Sequence, residues 1–248
     1  MVKGLDTFRK YFVDYEEQYV LIGGAACDIL FESNEVNFRA TRDLDMVLIV
    51  EALTPEFGEK FWKFIVDGKY RNKATNGSNP QFYRFDKPED DNFPKMIELF
   101  CRSDFKLKDA KGITPIHIDD EVSSLSAILL NDDYYKALLN GKEVRKGLSV
   151  LRPEYIILFK AKAYLDLKRQ KDLGEKVDSS DIKKHKKDVL RIASELMLEK
   201  VEELPIAVNT DIHSLINLLE QEPFDQNSLK RYMLKNEDVV ELLKRVFG

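Results

Sequence analysis

Cysteine is almost missing from this chain, which carries only Cys27 and Cys101 in 248 residues. Far apart and without companion spacing, the two exclude a disulfide framework and a zinc knuckle, and they read as buried free thiols. Histidine is equally sparse, and His117, His185 and His213 show no ligand spacing. No apolar run approaches the roughly 18 residues of a membrane-spanning helix. The opening stretch, "MVKGLDTFRKYF", lacks the apolar segment and small-residue cleavage site of a secretory signal, so a cytoplasmic protein without a membrane partner is expected. Internal repeats and low-complexity tracts are missing too. The formal net charge of -5 argues against a broadly basic surface for duplex binding, though not against a local basic groove.

With 44% hydrophobic and 33% charged residues, the composition is that of a folded soluble protein rather than a disordered one. The length allows one large domain or two modest ones. Helical spacing of Leu5, Phe8, Phe12 and Tyr15 opens the chain, and "YVLI" follows as a buried strand ending at Gly23-Gly24. "AACDILFES" reads as a helix and "DLDMVLIV" as a central strand, apolar on both faces past its first positions. "TPEFGEKFWKFIVDG" is expected to be a helix with Pro55 near its start. The polar, turn-rich insertion after it holds a short strand, "QFYRF", and an Asn-Gly-Ser-Asn tip expected to be mobile. "KMIELFCR" is a further strand, "FKLKDAKGITPIHIDD" a loop with a short strand, and "SSLSAILLNDDYYKALLNG" a helix that Gly141 can end. From Leu151 onward the periodicity is helical throughout, with "SLKRYMLKNEDVVELLKRVF" as its last helix. The fold class expected is α+β, a mixed sheet flanked by helices over residues 1–150 and a helical domain over 151–248.

Chemistry concentrates at three places. Strand residues two apart face the same way, so Asp43 and Asp45 project side by side. Carboxylates that close repel unless a cation lies between them or one is protonated, and hard oxygen ligands of this kind suit Mg²⁺. A tight glycine turn feeding a helix, Gly23-Gly24, presents backbone N–H groups and a positive helix end suited to phosphate. Glu98 alternates with Ile97 and Leu99, leaves its strand on the opposite face from them, and can share the face of the two aspartates. A lone acid in an apolar strand is costly to bury without a partner. Each feature taken alone is also what a close-packed turn or a solvated strand end looks like.

The combination Ile22-Gly23-Gly24, Asp43-Leu44-Asp45 and Glu98 in "KMIELF" resembles the nucleotidyltransferase superfamily, whose fold is the DNA polymerase beta-like one. "RATRDLD", with Arg39 and Thr41, is similar to its AbiEii-like branch, which includes toxins of toxin-antitoxin pairs. "PEYIILFKAKAYLDLKRQK" and "VDSSDIKKH" resemble that branch's later Lys-x-x-Ala helix and Asp-x-x-Asp segment. Two departures stand out: 18 residues separate Gly24 from Asp43, more than is usual, and position 24 is Gly where many members have Ser.

The resemblance implies a nucleotidyltransferase that moves a nucleoside monophosphate from an NTP to an acceptor hydroxyl. Asp43, Asp45 and Glu98 would be catalytic and bind Mg²⁺, two ions during catalysis. Gly23, Gly24, Arg39, Thr41, Lys160 and Asp181 would contact the nucleotide. Lys160 shares a helix face with Ala163, Tyr164 and Leu167 and should point inward, toward the other half of the protein, where an amine needs an anion; Lys162 aligns with Asp166 and Arg169 and should pair in solvent. Asp181 and Asp178 are interchangeable in the match, and either also suits an ordinary helix N-terminus. The basic run between Lys160 and Arg191 is either a solvated helix face or a groove for an RNA acceptor. An antitoxin protein is a further implied partner. A catalytically silent relative and an antibiotic-modifying enzyme are the alternatives.

Overall fold

The computed structural model describes residues 3–32, 43–72, 82–101, 128–129 and 131–248. Helix α1 (Leu5–Phe12) buries Leu5, Phe8 and Phe12 at the spacing the sequence shows. It stops short of Tyr15 because Asp14 takes a left-handed conformation, φ 73°. Strand β1 (Tyr19–Ile22), buried at every position, runs directly into α2 (Gly23–Glu32), with Gly23 in the left-handed conformation, φ 60°, as the turning residue at its head. β2 (Asp43–Leu48) lies antiparallel to β1. α3 (Pro55–Asp67) starts as the sequence leads one to expect, with Pro55 in the first turn and the Thr54 hydroxyl accepting the Phe57 N–H. β3 (Arg71–Asn72), β4 (Phe82–Asp86) and β5 (Met96–Cys101) follow. The Asn-Gly-Ser-Asn tip and the short strand expected near His117 lie outside the described residues.

After α4 (Asp132–Gly141) the chain forms a hairpin absent from the sequence reading, β6 (Lys142–Arg145) and β7 (Leu148–Leu151). Lys146 and Gly147 both take positive φ, 52° and 71°, the condition for the tight turn whose twist suits a hairpin. β7 pairs parallel with β1, giving one mixed sheet in the order β3-β4-β5-β2-β1-β7-β6. One face carries an aromatic layer: Phe8 and Phe12 of α1 meet Tyr19, while Phe61 of α3 meets Phe85. Ring pairs of this kind stabilise by about 1 kcal/mol each beyond the area they bury. By alternation along the strands, Asp43, Asp45 and Glu98 point away from that layer.

The chain divides into two compact units, Met1–Asp119 with Lys142–Leu151, and Asp120–Gly141 with Arg152–Gly248. α4, expected within the first 150 residues as part of the sheet domain, therefore groups with the helices. Its side chains explain this: the Tyr134 hydroxyl donates to Asp211 and the Asp133 carboxylate accepts the Ala207 N–H. The helical unit continues with α5 (Pro153–Asp172), α6 (Ser179–Glu195), α7 (Ile206–Gln221), α8 (Gln226–Arg231) and α9 (Asn236–Phe247). The last two replace the single helix expected there, because Met233 is left-handed at φ 55° and the Asp238 carboxylate accepts the Lys235 N–H to start α9 afresh. None of the described helices is long and apolar enough to cross a membrane.

Glu154, in the first turn of α5, is 2% exposed and accepts the Glu199 N–H at 2.6 Å. Burial raises its pKa above the ordinary carboxylate value. A folded-state pKa above the unfolded one gives stability that is full below the unfolded value and declines as pH rises through the folded value. Glu154→Gln should therefore gain on the wild type as pH is raised from 4 to 7, measured as urea midpoints. A gap between the two that stays constant with pH would contradict this.

Candidate functional site

The antiparallel pairing of β1 and β2 sets Ile22 opposite Asp45, so the first residue of α2 comes against that aspartate. Gly23 has φ +60°, and a Cβ built on it would lie 2.2 Å from Asp45 Oδ2. No side chain fits there, and the backbone angle alone disfavours any L residue. The glycine and the aspartate thus form one constellation. A carboxylate at the start of a helix is also favoured by the partial positive charge of that end.

Asp43 and Asp45 are both half-buried on β2. On the parallel neighbour β5, Glu98 is in register with Asp45 and only 7% exposed. One strand further out, Arg84 of β4 is in register with Glu98. Its Nε donates to Glu98 Oε1 at 2.7 Å, and its Nη2 lies 2.5 Å from the same oxygen in an ion pair. The row across the sheet is therefore Ile22, Asp45, Glu98, Arg84. Arg84 was not picked out from the sequence, because it lies in "QFYRF" at the end of a polar insertion and only cross-strand register brings it to the acids. Asp86, two residues on, faces the same way at the end of β4, and its Oδ1 is buried without a hydrogen-bond partner.

Two carboxylates two residues apart, beside a glycine that leaves space at one of them, are a donor set that fits a hard divalent cation. The third expected ligand stands differently. Glu98 is in register with Asp45, yet among the described residues no group of three or more His, Cys, Asp or Glu is arranged to hold one ion. The physical reason lies beside it: a guanidinium holds the Glu98 carboxylate by two N–H donors, the strong form of a charge-assisted pair. To serve as a third ligand, Glu98 would have to be shared with Arg84. Gly24 is the second helical residue of α2. Arg39 and Thr41 lie outside the described residues.

Lys160 and Asp181 belong to the helical unit. Lys160 is 15% exposed as expected of an inward residue, and the anion it meets is Asp188 of α6, 3.0 Å away and nearly buried. The need for an anion, which the sequence reading met with a triphosphate, is thus already met inside the unit. Lys160→Gln should lower stability by roughly 1–3 kcal/mol through the buried carboxylate it leaves behind, read from urea unfolding. A variant as stable as the wild type would mean that the pair contributes nothing. Lys162 pairs with Asp166 at 3.0 Å and also reaches Asp211 at 3.3 Å, so it is less solvated than its helix position suggests.

Asp178 and Asp181 part company. Asp178 caps α6, its carboxylate accepting the Ser180 N–H at 2.8 Å, and that bond lowers its pKa. Asp181 sits in the first turn behind it. In the basic run, Lys168 pairs with Glu222, and Lys186 donates to the carbonyls of Glu222 and Pro223 at the end of α7. His213 Nδ1 lies 2.9 Å from the Asn209 carbonyl, a contact within one helix.

No family model and no curated protein matches the chain. Among solved structures, it is similar to an antigenic nucleotidyltransferase-like protein from Paracoccidioides brasiliensis. The identity is 14%, the TM-score 0.47, and the match covers 100% of this chain and 97% of that one. A likeness at this level assigns neither a fold nor an activity.

Proposed function

We propose that this protein is a Mg²⁺-dependent nucleotidyltransferase that moves a nucleoside monophosphate from an NTP to an acceptor hydroxyl, the hydroxyl oxygen bonding to the α-phosphorus as the α–β phosphoanhydride breaks and pyrophosphate leaves. The observation that carries the reading is the meeting of Gly23 with Asp45, beside Asp43 and in register with Glu98. A carboxylate pair, a third acid one strand away and a helix start fall on one patch of one sheet face, where chance burial would favour apolar residues. Asp43 and Asp45 would hold the cation. When bound, Mg²⁺ supplies charge for the triphosphate and lowers the pKa of an attacking hydroxyl.

The start of α2 offers backbone N–H groups to phosphate, since position 24 has no side-chain hydroxyl to offer. Glu98 would complete the metal's ligand shell and accept the hydroxyl proton. The resemblance to the AbiEii-like branch further suggests a toxin of a toxin-antitoxin pair, with tRNA or another cellular target as acceptor and an antitoxin as partner. Expression alone would then arrest growth. An antibiotic-modifying enzyme of the same chemistry would instead confer resistance and leave growth unchanged.

One observation favours a second reading. Glu98 is engaged by Arg84, and a protein that had given up catalysis would also tie its third acid into the fold. Such a protein would bind a partner or a nucleotide without turnover. Isothermal titration with each NTP and Mg²⁺ tests the enzyme reading, and label transfer from a bound NTP to an acceptor separates it from a silent nucleotide binder. Binding of at least one NTP that requires Mg²⁺ is expected of the enzyme. Failure of all four to bind would refute it and leave the silent relative.

A further inference from the structure

Glu98 and Asp45 are neighbours in register on adjacent strands and lie on one face of the sheet. Glu98 is instead committed to Arg84, by two contacts to the same oxygen in a setting where the acid is 7% exposed. An ion pair this sheltered is screened little by solvent, and its geometry fixes where the acid points. Arg84 is itself a quarter exposed and on the face that bears the aspartates.

Resting on the reading of Asp43 and Asp45 as a cation seat, we propose that Arg84 is a positioning residue that withholds Glu98 from that seat. It thereby keeps divalent-cation affinity low until an anion takes the guanidinium. A polyphosphate is suited to do so, because a guanidinium binds phosphate oxygens in the same forked geometry as a carboxylate and the phosphate carries more charge. Cation and nucleotide binding would then be coupled through one side chain. The nucleotide draws Arg84 away, Glu98 turns to the aspartates, and the cation is held by three carboxylates only when its substrate is present.

Mn²⁺ binding to the full chain without nucleotide, followed by electron paramagnetic resonance, tests this directly. Arg84→Gln should bind Mn²⁺ about tenfold more tightly than the wild type, because the third carboxylate is released. That gain must pass through Glu98. In a Glu98→Gln background, adding Arg84→Gln should change affinity by less than about threefold.

Equal gains in both backgrounds would show a through-space effect of charge alone and overturn the proposal, as would no gain in Arg84→Gln. Should Arg84→Gln fail to fold with Glu98 unpaired, Arg84→Lys takes its place, since it keeps one positive charge beside Glu98 but loses the guanidinium's second N–H donor. A gain of at least about threefold in Mn²⁺ affinity that disappears in the Glu98→Gln background is expected of it, and no gain overturns the proposal. Mn²⁺ binding by the wild type with no effect of Arg84 sinks only this proposal. No Mn²⁺ binding by any variant sinks it together with the cation seat.

Discussion

Asp45→Asn should abolish nucleotide transfer, by about a thousandfold or more, while leaving the protein folded. The side chain keeps its shape and loses its charge, so the space beside Gly23 stays filled as before and only the attraction for a cation goes. Stability should change by less than about 1 kcal/mol, because asparagine keeps the shape and a carbonyl oxygen that can still accept a hydrogen bond. That pairing of results separates a functional aspartate from a structural one. A structural Asp45 would show the reverse, a lower urea midpoint with transfer retained. Asp43→Asn should behave in the same way, since Asp43 shares the strand face and the half-buried setting.

Gly23→Ala should be strongly damaging to both stability and the site. Its Cβ would overlap Asp45 Oδ2 at 2.2 Å, and alanine would have to keep φ near +60°. The backbone penalty alone is about 1–3 kcal/mol, and Asp45 has too short a side chain to move aside without losing its place. The expected outcome is a lower urea midpoint together with loss of Mn²⁺ binding. Gly24→Ala serves as the control, with a smaller effect on both. A Gly23→Ala protein with normal stability and normal Mn²⁺ affinity would show that the glycine does not shape the site.

Local period carried much of this structure in plain view. The spacing of Leu5, Phe8 and Phe12 marks a helix, the branched run after Asp45 marks a central strand, and the alternation around Glu98 puts it on the face opposite Ile97 and Leu99. Each of these is a property of neighbours in sequence. What stayed hidden depends on pairing between distant segments. Arg84 is an unremarked basic residue until β4 lines up with β5, and its bond to Glu98 changes what that acid is free to do. Lys160 likewise pointed inward as its helix face requires, but its partner Asp188 lies on another helix.

The β6–β7 hairpin escaped notice for a different reason. Each strand has four residues and the turn is Lys-Gly, too short and too polar a signal to stand out beside the helices on either side. The break at Met233 is a backbone conformation at a residue that rarely adopts it, so the helical pattern runs on through it in sequence.

The most direct test is to incubate the wild type with each α-labelled NTP, Mg²⁺ and total cellular RNA or lysate, with Asp45→Asn in parallel, and to look for label on a macromolecule. Label transferred to an acceptor by the wild type, dependent on Mg²⁺ and lost in the variant, is the expected result. Label transferred equally by Asp45→Asn, or no transfer from any of the four nucleotides to any acceptor, would contradict it.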